Sequence, residues 1–447
     1  MSSSSSYDYD FTKLANSLEE FWMPFTQQRH FKKDPRIVVS AEGMYYTDQD
    51  GRQIMDGSAG MWCANAGHNV PRIKEAITAQ LETLDFAPAF RYGHPTPFRA
   101  ASRLVAAMPE DISNVFFSNS GSEAVDTALK IALAYHRARG EGSRRMFIGR
   151  ERAYHGVGFG GISVGGIPYN RAAFGQLLPQ IDHMPVAYDF ERNGISRGLG
   201  EHGADIAERL EEMIYLHDPS NIAAVIVEPA AGSTGVLPPP KGYLERLREI
   251  TSKYGILLIF DEVIVGFGRL GTVSAAEYTG ITPDMITTAK GMTNGVIPMG
   301  GTFVTSHVYD SLMKGPEEII ELYHGYTYSG HPLAAAAAIA ALEEYKEAGV
   351  FANAKKMAQP WEDALHSLAD KPYIKDLRNW GILAGIELHP GKDGEDLALK
   401  MFYRLWDKGL MLRPGAPHSV ALSPPLILNQ SHIDEIFTKI TEVLEEL

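Results

Sequence analysis

The chain has 447 residues, enough to bury a sizeable core and to divide into two or more lobes. With 45% hydrophobic and 21% charged residues it has an ordinary globular composition, and a net charge of −14 excludes nucleic acid or an anionic membrane surface as its main partner. The single cysteine, Cys63, excludes an internal disulfide framework and a multi-cysteine metal site, and it fits a reducing compartment.

At the N-terminus, Ser2 to Ser6 and Tyr7-Asp8-Tyr9-Asp10 contain no basic n-region and no apolar h-region. This tail reads as disordered, not as a secretory signal. Met44-Tyr45-Tyr46-Thr47 and Arg52-Gln53-Ile54-Met55 flank Asp50-Gly51, a hairpin signal, so the opening part is expected to be antiparallel. The middle of the chain alternates strands with helices. Asn114-Val115-Phe116-Phe117 leads into a helix over residues 123–136, and residues 223–227 form a continuous apolar run. A helix over 243–253 follows, then the apolar runs 256–260 and 285–286. Such runs are strands covered on both faces, hence a mostly parallel sheet with its ligand site at the C-terminal strand ends.

Residues 332–342 are alanine-rich, too short to span a bilayer, and read as a buried helix. Beyond them come short strands at 383–388 and 410–412 and a final amphipathic helix at 432–447. The expected class is α/β: a large domain over residues 71–340 with a mostly parallel central sheet, and a smaller α+β domain over 341–447 to which residues 1–70 contribute.

Four loops carry chemistry. Ser118-Asn119-Ser120-Gly121-Ser122 offers backbone and hydroxyl donors to a phosphate at the positive end of a helix dipole; it equally fits an ordinary helix start, with Ser120 and Glu123 as a capping box. Tyr154-His155-Gly156-Val157-Gly158-Phe159-Gly160-Gly161 matches the glycines of a dinucleotide fingerprint, yet no amphipathic helix follows, so it reads as a flexible loop. Its Tyr154 either stacks on a planar ring or packs in the core. Glu228, in Glu228-Pro229, ends the strand 223–227 and either bonds a ligand or caps the next turn. Gly325-Tyr326-Thr327-Tyr328-Ser329 is polar and aromatic enough for an interface loop, with Thr327 a phosphate donor.

Lys290 and Asp261 sharpen this pattern. Asp261 closes the apolar run 256–260, and Lys290 follows the short strand 285–286 within Thr288-Ala289-Lys290-Gly291. A lysine and a carboxylate at the ends of successive buried strands suit a lysine-bound pyridoxal phosphate: the amine forms the Schiff base and the carboxylate holds the proton on the pyridine nitrogen. Taken singly, a lysine is usually solvated and a strand-end acid usually caps a helix.

The ordered series Ser120-Gly121-Ser122, Tyr154-His155, Glu228-Pro229, Asp261-Glu262-Val263, Ala289-Lys290-Gly291 and Gly325-Tyr326-Thr327-Tyr328-Ser329 resembles the class III (subgroup II) pyridoxal phosphate aminotransferases. The resemblance runs from Trp22-Met23-Pro24-Phe25-Thr26 to Leu422-Ser423-Pro424-Pro425. Gly60-Met61-Trp62-Cys63-Ala64-Asn65-Ala66-Gly67-His68, Asp85-Phe86-Ala87-Pro88 and His324-Gly325-Tyr326 resemble most the ω-amino acid–pyruvate (β-alanine–pyruvate) aminotransferases and (S)-amine transaminases.

That resemblance implies a fold type I enzyme, a homodimer or a dimer of dimers, with active sites at the subunit interface. It implies that Lys290 carries the cofactor and moves the proton, and that Asp261 pairs with the pyridine nitrogen. Gly121 and Ser122, helped by Ser120, would bind the phosphate, and Thr327 the phosphate of the neighbouring subunit's cofactor. Tyr154 would stack on the ring with Val263 on its other face, and His155 and Glu228 would line the cofactor. Trp62, Phe90, Ala231 and Arg413 would form the substrate pocket. Arg413 would be a mobile arginine whose planar fork matches a carboxylate; a surface arginine is the plain alternative. Val265 and Ala421 would give a small apolar lining favouring less polar amines, at roughly 25 cal/mol per Å² buried. The implied reaction is ping-pong transfer of an amino group from an ω-amino acid or (S)-amine to pyruvate, in the cytoplasm and without a metal. An α-ketoglutarate-dependent GABA or diamine aminotransferase, or an aminomutase, is the alternative on the same scaffold.

Overall fold

A computed structural model describes residues 18–175, 177–415 and 418–447; the serine-rich tail lies outside them. The first strands, Val38–Glu42 (β1), Tyr45–Asp48 (β2) and Gln53–Asp56 (β3), form the expected antiparallel hairpin, with Gly51 at φ 81° in its turn. A positive φ suits glycine because it carries no Cβ.

The central sheet comprises Ile112–Ser118 (β4), Met146–Arg150 (β5), Ile181–Met184 (β6), Ile222–Val227 (β7), Leu257–Asp261 (β8), Met285–Thr288 (β9) and Gly300–Thr305 (β10). Its order is β4-β10-β9-β8-β7-β5-β6, parallel throughout except for β10, which is antiparallel to β4 and β9. β7 and β8 are buried along their whole length. Ile226, Leu257 and Ile259 face the helix Gly121–Ala138 through Val125, Ala128 and Ala132. Val225, Val227, Leu258 and Phe260 belong to the other core, with Leu247 and Ile250 of the helix Tyr243–Tyr254. A strand covered on both faces needs no polar alternation, which is why these runs are continuously apolar.

The alanine-rich segment extends as the helix Pro332–Glu347 and packs on the helices Pro71–Thr83 and Pro95–Val105. A second sheet holds Ile374–Trp380 (β11) and Leu383–Leu388 (β12). The two-residue strand Leu410–Met411 (β13) comes next, followed by Arg413–Gly415 (β14) and Ser419–Leu422 (β15). The order of the second sheet is β11-β12-β15-β14, whereas β13 leaves it and pairs in parallel with β3. The strand leading to Arg413 is thus stitched to the N-terminal hairpin.

One expectation needs correcting. The glycine-rich stretch after His155 is not a loop throughout, because Phe159–Val164 is a short, largely buried helix. A Cβ at Gly158 or Gly160 would lie 2.5 or 2.4 Å from the Asp126 carboxylate, and Asp126 accepts from Gly161 N at 2.9 Å. The glycines serve close packing on the helix Gly121–Ala138 rather than freedom of motion.

Candidate active site

Five strand ends, those of β4, β5, β7, β8 and β9, converge at the C-terminal edge of the central sheet. β4 leads through Ser118 into the helix Gly121–Ala138, with Ser120 as its N-cap. Ser120 Oγ accepts from Glu123 N at 3.2 Å. The reciprocal half of the expected capping box goes elsewhere: Glu123 Oε2 accepts from Asn119 N at 2.7 Å and Asn119 Nδ2 at 2.9 Å. A Cβ on Gly121 would meet the Val263 methyls at 2.9 and 3.0 Å, and one on Gly300 would lie 2.3 Å from Ser120 O. This helix start is therefore wedged between β10 and the residues following β8. Ser122 Oγ accepts from Val157 N at 3.1 Å and ties the segment after His155 to the same turn.

Beside it lie three carboxylates. Asp261 Oδ2 receives a hydrogen bond from His155 Nδ1 at 2.8 Å, and Oδ1 accepts from Val263 N at 3.2 Å. His155 is buried and its Nε2 has no partner among the described residues. Glu228 accepts from Tyr154 N at 2.9 Å and Gly232 N at 3.1 Å; burial, reinforced by Asp261 and opposed by His155, pushes its carboxyl above the usual range. Glu262 accepts from Ala275 N at 2.6 Å and Ala276 N at 3.0 Å, and burial pushes its pKa up to about 8.

Lys290 opens a 3-10 turn, Lys290–Thr293, and has φ 47°. That unusual backbone is held from several sides. Tyr345 Oη donates to Gly291 O at 2.6 Å, and Asn294 accepts from Ala66 N at 2.8 Å while donating to Gly67 O at 2.8 Å. Burial lowers the amine to about 8; Arg413 adds to the effect, and Cys63, Asp261 and Glu228 oppose it. A buried amine loses the water that stabilises its charge, which makes it a nucleophile near neutral pH.

The Lys290 Nζ lies 4.9 Å from the Trp62 ring, and the Arg413 guanidinium carbon 4.8 Å from it. Arg413 Nη1 donates to Met61 Sδ at 2.8 Å, and its Nε is buried without a partner. It has no carboxylate partner among the described residues. Burial lowers its pKa, with Tyr154 and Tyr169 pulling the other way.

The remaining predicted residues are placed differently. Val265 and Ala421 are buried in one apolar cluster with Trp62 and Ala230. Ala231 faces away from that cluster, against Tyr188 and Leu237, with its backbone bonded to Leu237. Phe90 is 56% exposed, with its ring against Gly325, and Thr327 two residues further on is exposed. Met61, Tyr169 and Ala230 had no local signal: each reaches the site through the meeting of separate segments.

This donor set fits pyridoxal phosphate. A depressed amine, a buried carboxylate oriented on two sides, and a long helix opening on glycine suit its aldehyde, ring nitrogen and phosphate. No cluster of metal-ligating side chains occurs among the described residues. A family model, aminotransferase class-III, matches residues 26–444. The chain is a class III aminotransferase.

The aminotransferase is 54% identical over 434 residues to an ω-aminotransferase of Caulobacter vibrioides, across 97% of this chain and 99% of that protein. It is 44% identical to a β-alanine–pyruvate aminotransferase of Pseudomonas aeruginosa, across 96% of each. An ω-transaminase from Pseudomonas jessenii, solved in complex with PMP, superposes with a TM-score of 0.89 at 32% identity and 95% coverage of each chain. Class III aminotransferases depend on pyridoxal phosphate and share fold type I, the α/β fold described above.

Proposed function

We propose that this aminotransferase moves an amino group from an ω-amino acid or primary amine to pyruvate. The observation that carries the reading is the Trp62 ring, set against both Lys290 Nζ and Arg413 at 4.9 and 4.8 Å. It puts amine chemistry and carboxylate recognition on one aromatic wall. The names of the ω-aminotransferase and β-alanine–pyruvate aminotransferase relatives support the same reading.

Pyridoxal phosphate, when bound, would supply an aldehyde to carry the amino group and an electron-withdrawing ring. Gly121 and Ser122, with Ser120, hold its phosphate at the helix start. Asp261 holds the proton on the ring nitrogen, and His155 and Val263 N orient Asp261. Tyr154 and Val263 flank the ring, and Glu228 fixes the Tyr154 backbone. Lys290 Nζ takes the proton from the donor's amine-bearing carbon and, in the second half-reaction, delivers one to the carbon of pyruvate that receives the amino group. Arg413 binds the donor or pyruvate carboxylate beside Trp62.

The same reading includes a homodimer. Phe86, Phe90, Tyr323 and Tyr328 expose large apolar surfaces, and Phe86 lies 6.0 Å from the Tyr328 ring. Such a surface suits a subunit interface that brings Thr327 to the partner's phosphate site. Residues 71–340 form the large domain in this reading, and 341–447 with the N-terminal 1–70 the small one. No described helix is long and apolar enough to cross a membrane. A cytoplasmic location belongs to the reading because one cysteine in 447 residues suits a reducing compartment.

The test is a half-reaction. Mixing holoenzyme with β-alanine should bleach the absorbance of the lysine-bound cofactor, and pyruvate should restore it. Restoration by α-ketoglutarate alone would replace pyruvate as the acceptor.

A further inference from the structure

Between β3 and the active site the chain makes a turn that needs outside support. Ala59, Gly60 and Trp62 have φ of 47°, 66° and 61°, a region that residues with side chains seldom occupy. The support is Asp56, the last residue of β3, which is fully buried. Its Oδ1 accepts from Ser58 N at 3.0 Å, while the Ser58 hydroxyl donates to Gly60 O at 3.2 Å across the same turn. Its Oδ2 accepts from Gly60 N at 2.6 Å and from His68 Nε2 at 2.8 Å. A carboxylate has about four lone-pair sites, and this cage engages three of them from Ser58 N, Gly60 N and His68 Nε2.

The same residue touches the other wall of the pocket. Asp56 is in register with Met411 of β13, two positions before Arg413. Gly57 N donates to Met411 O at 2.9 Å, and a Cβ at Gly57 would lie 2.4 Å from Leu412 Cδ2. Tyr46 closes the outside, with its ring 4.3 Å from that of His68 and its hydroxyl 3.1 Å from where a Gly60 Cβ would be.

We propose that Asp56 is a positioning residue of the active site, whose carboxylate, through the 58–62 turn, sets the Trp62 indole against Lys290 and Arg413. It thereby controls how a donor's carboxylate is held relative to its amine. The proposal rests on the reading of Lys290 as the cofactor lysine and Arg413 as the carboxylate-binding arginine.

Asp56→Asn keeps the volume but turns an acceptor into a donor that faces other donors. The experiment compares the holoenzymes of Asp56→Asn, Trp62→Ala and the double variant, with β-alanine or an uncharged primary amine as donor and pyruvate as acceptor. Hydrogen exchange over residues 58–64 is followed in the cofactor-free proteins. Asp56→Asn should speed that exchange and cut kcat/KM for β-alanine about tenfold, mostly through KM, as a small misplacement of a pocket wall would. In the Trp62→Ala background it should cost less than about twofold, because coupled residues are not additive. Equal losses in both backgrounds, or unchanged kcat/KM despite faster exchange, would overturn the proposal. Should Asp56→Asn not fold, His68→Ala removes one donor to the cage and must show the same KM-weighted loss; an unchanged KM would also overturn it. Failure of the underlying reading shows elsewhere, as turnover by Lys290→Ala or an unchanged KM for β-alanine in Arg413→Leu.

Discussion

His155 donates from Nδ1 to Asp261 Oδ2 across 2.8 Å, in a region where both side chains are buried. The acceptor defines the tautomer, with the proton on Nδ1. The bond joins the segment after β5 to the end of β8. Together with Val263 N on Oδ1, it sets the plane of the carboxylate.

Asp261→Asn should therefore lower kcat/KM about 10²–10³-fold, the usual loss when a preorganised electrostatic partner is removed. His155→Phe should cost less, about tenfold, because it disturbs only the orientation of Asp261. Steady-state kinetics with one donor and pyruvate would check both. Full activity in His155→Phe would reduce that bond to a packing contact.

The depressed Lys290 amine has a signed consequence for stability. Its folded pKa, about 8, lies below its ordinary value of 10.5. Below pH 8 the folded protein carries a buried cation at a cost. Between 8 and 10.5 the unfolded chain binds more protons, so this group's contribution becomes more favourable as pH rises. Cofactor-free Lys290→Met should thus be more stable than the parent below pH 8, and its advantage should fade by 10.5. Thermal melts across that range measure it. The same variant should lose turnover and the lysine-bound cofactor absorbance.

Arg413→Leu separates the two donor classes. A charge-assisted bond is worth about 1.5–3 kcal/mol, so KM for β-alanine should rise about tenfold or more. An uncharged amine should react within about threefold of the parent, since it makes no such bond. Equal losses for both donors would point to a structural role for Arg413.

Gly300→Ala probes the phosphate end. Its Cβ would lie 2.3 Å from Ser120 O and 2.7 Å from Ser118 Oγ. The Ser120 backbone has little room to yield, so overpacking should cost about 1–3 kcal/mol and weaken cofactor affinity. Gly142→Ala is the control: nothing lies within 4 Å of its Cβ, and the change should be neutral or slightly stabilising. Melting temperature and cofactor titration together read the contrast.

The parts of the fold that could be read from the sequence are those whose burial is complete and local. β7 and β8 are unbroken apolar runs because helices cover both faces, and the Asp50-Gly51 turn declares its hairpin. β10 is different. It begins with Gly300-Gly301 and is a strand only because β4 and β9 accept it on either side. The Phe159–Val164 helix is not legible in its own sequence for a similar reason, since its glycines are explained by Asp126, a residue on another helix.

The site divides along the same line. Lys290 and Asp261 are legible because each ends or follows a buried strand, and strand ends of a parallel sheet share one edge. The order of motifs along the chain was enough for the chemistry around them. Nothing local to Trp62 says that it meets Lys290 and Arg413, or that Asp56 braces the turn that carries it. Those contacts depend on β13 leaving its own sheet to pair with β3 and on the β8–β9 adjacency that aims Lys290 inward. Side-chain periodicity records how much of a segment is buried; which distant segment buries it is settled by packing, and in this enzyme that packing builds the substrate wall.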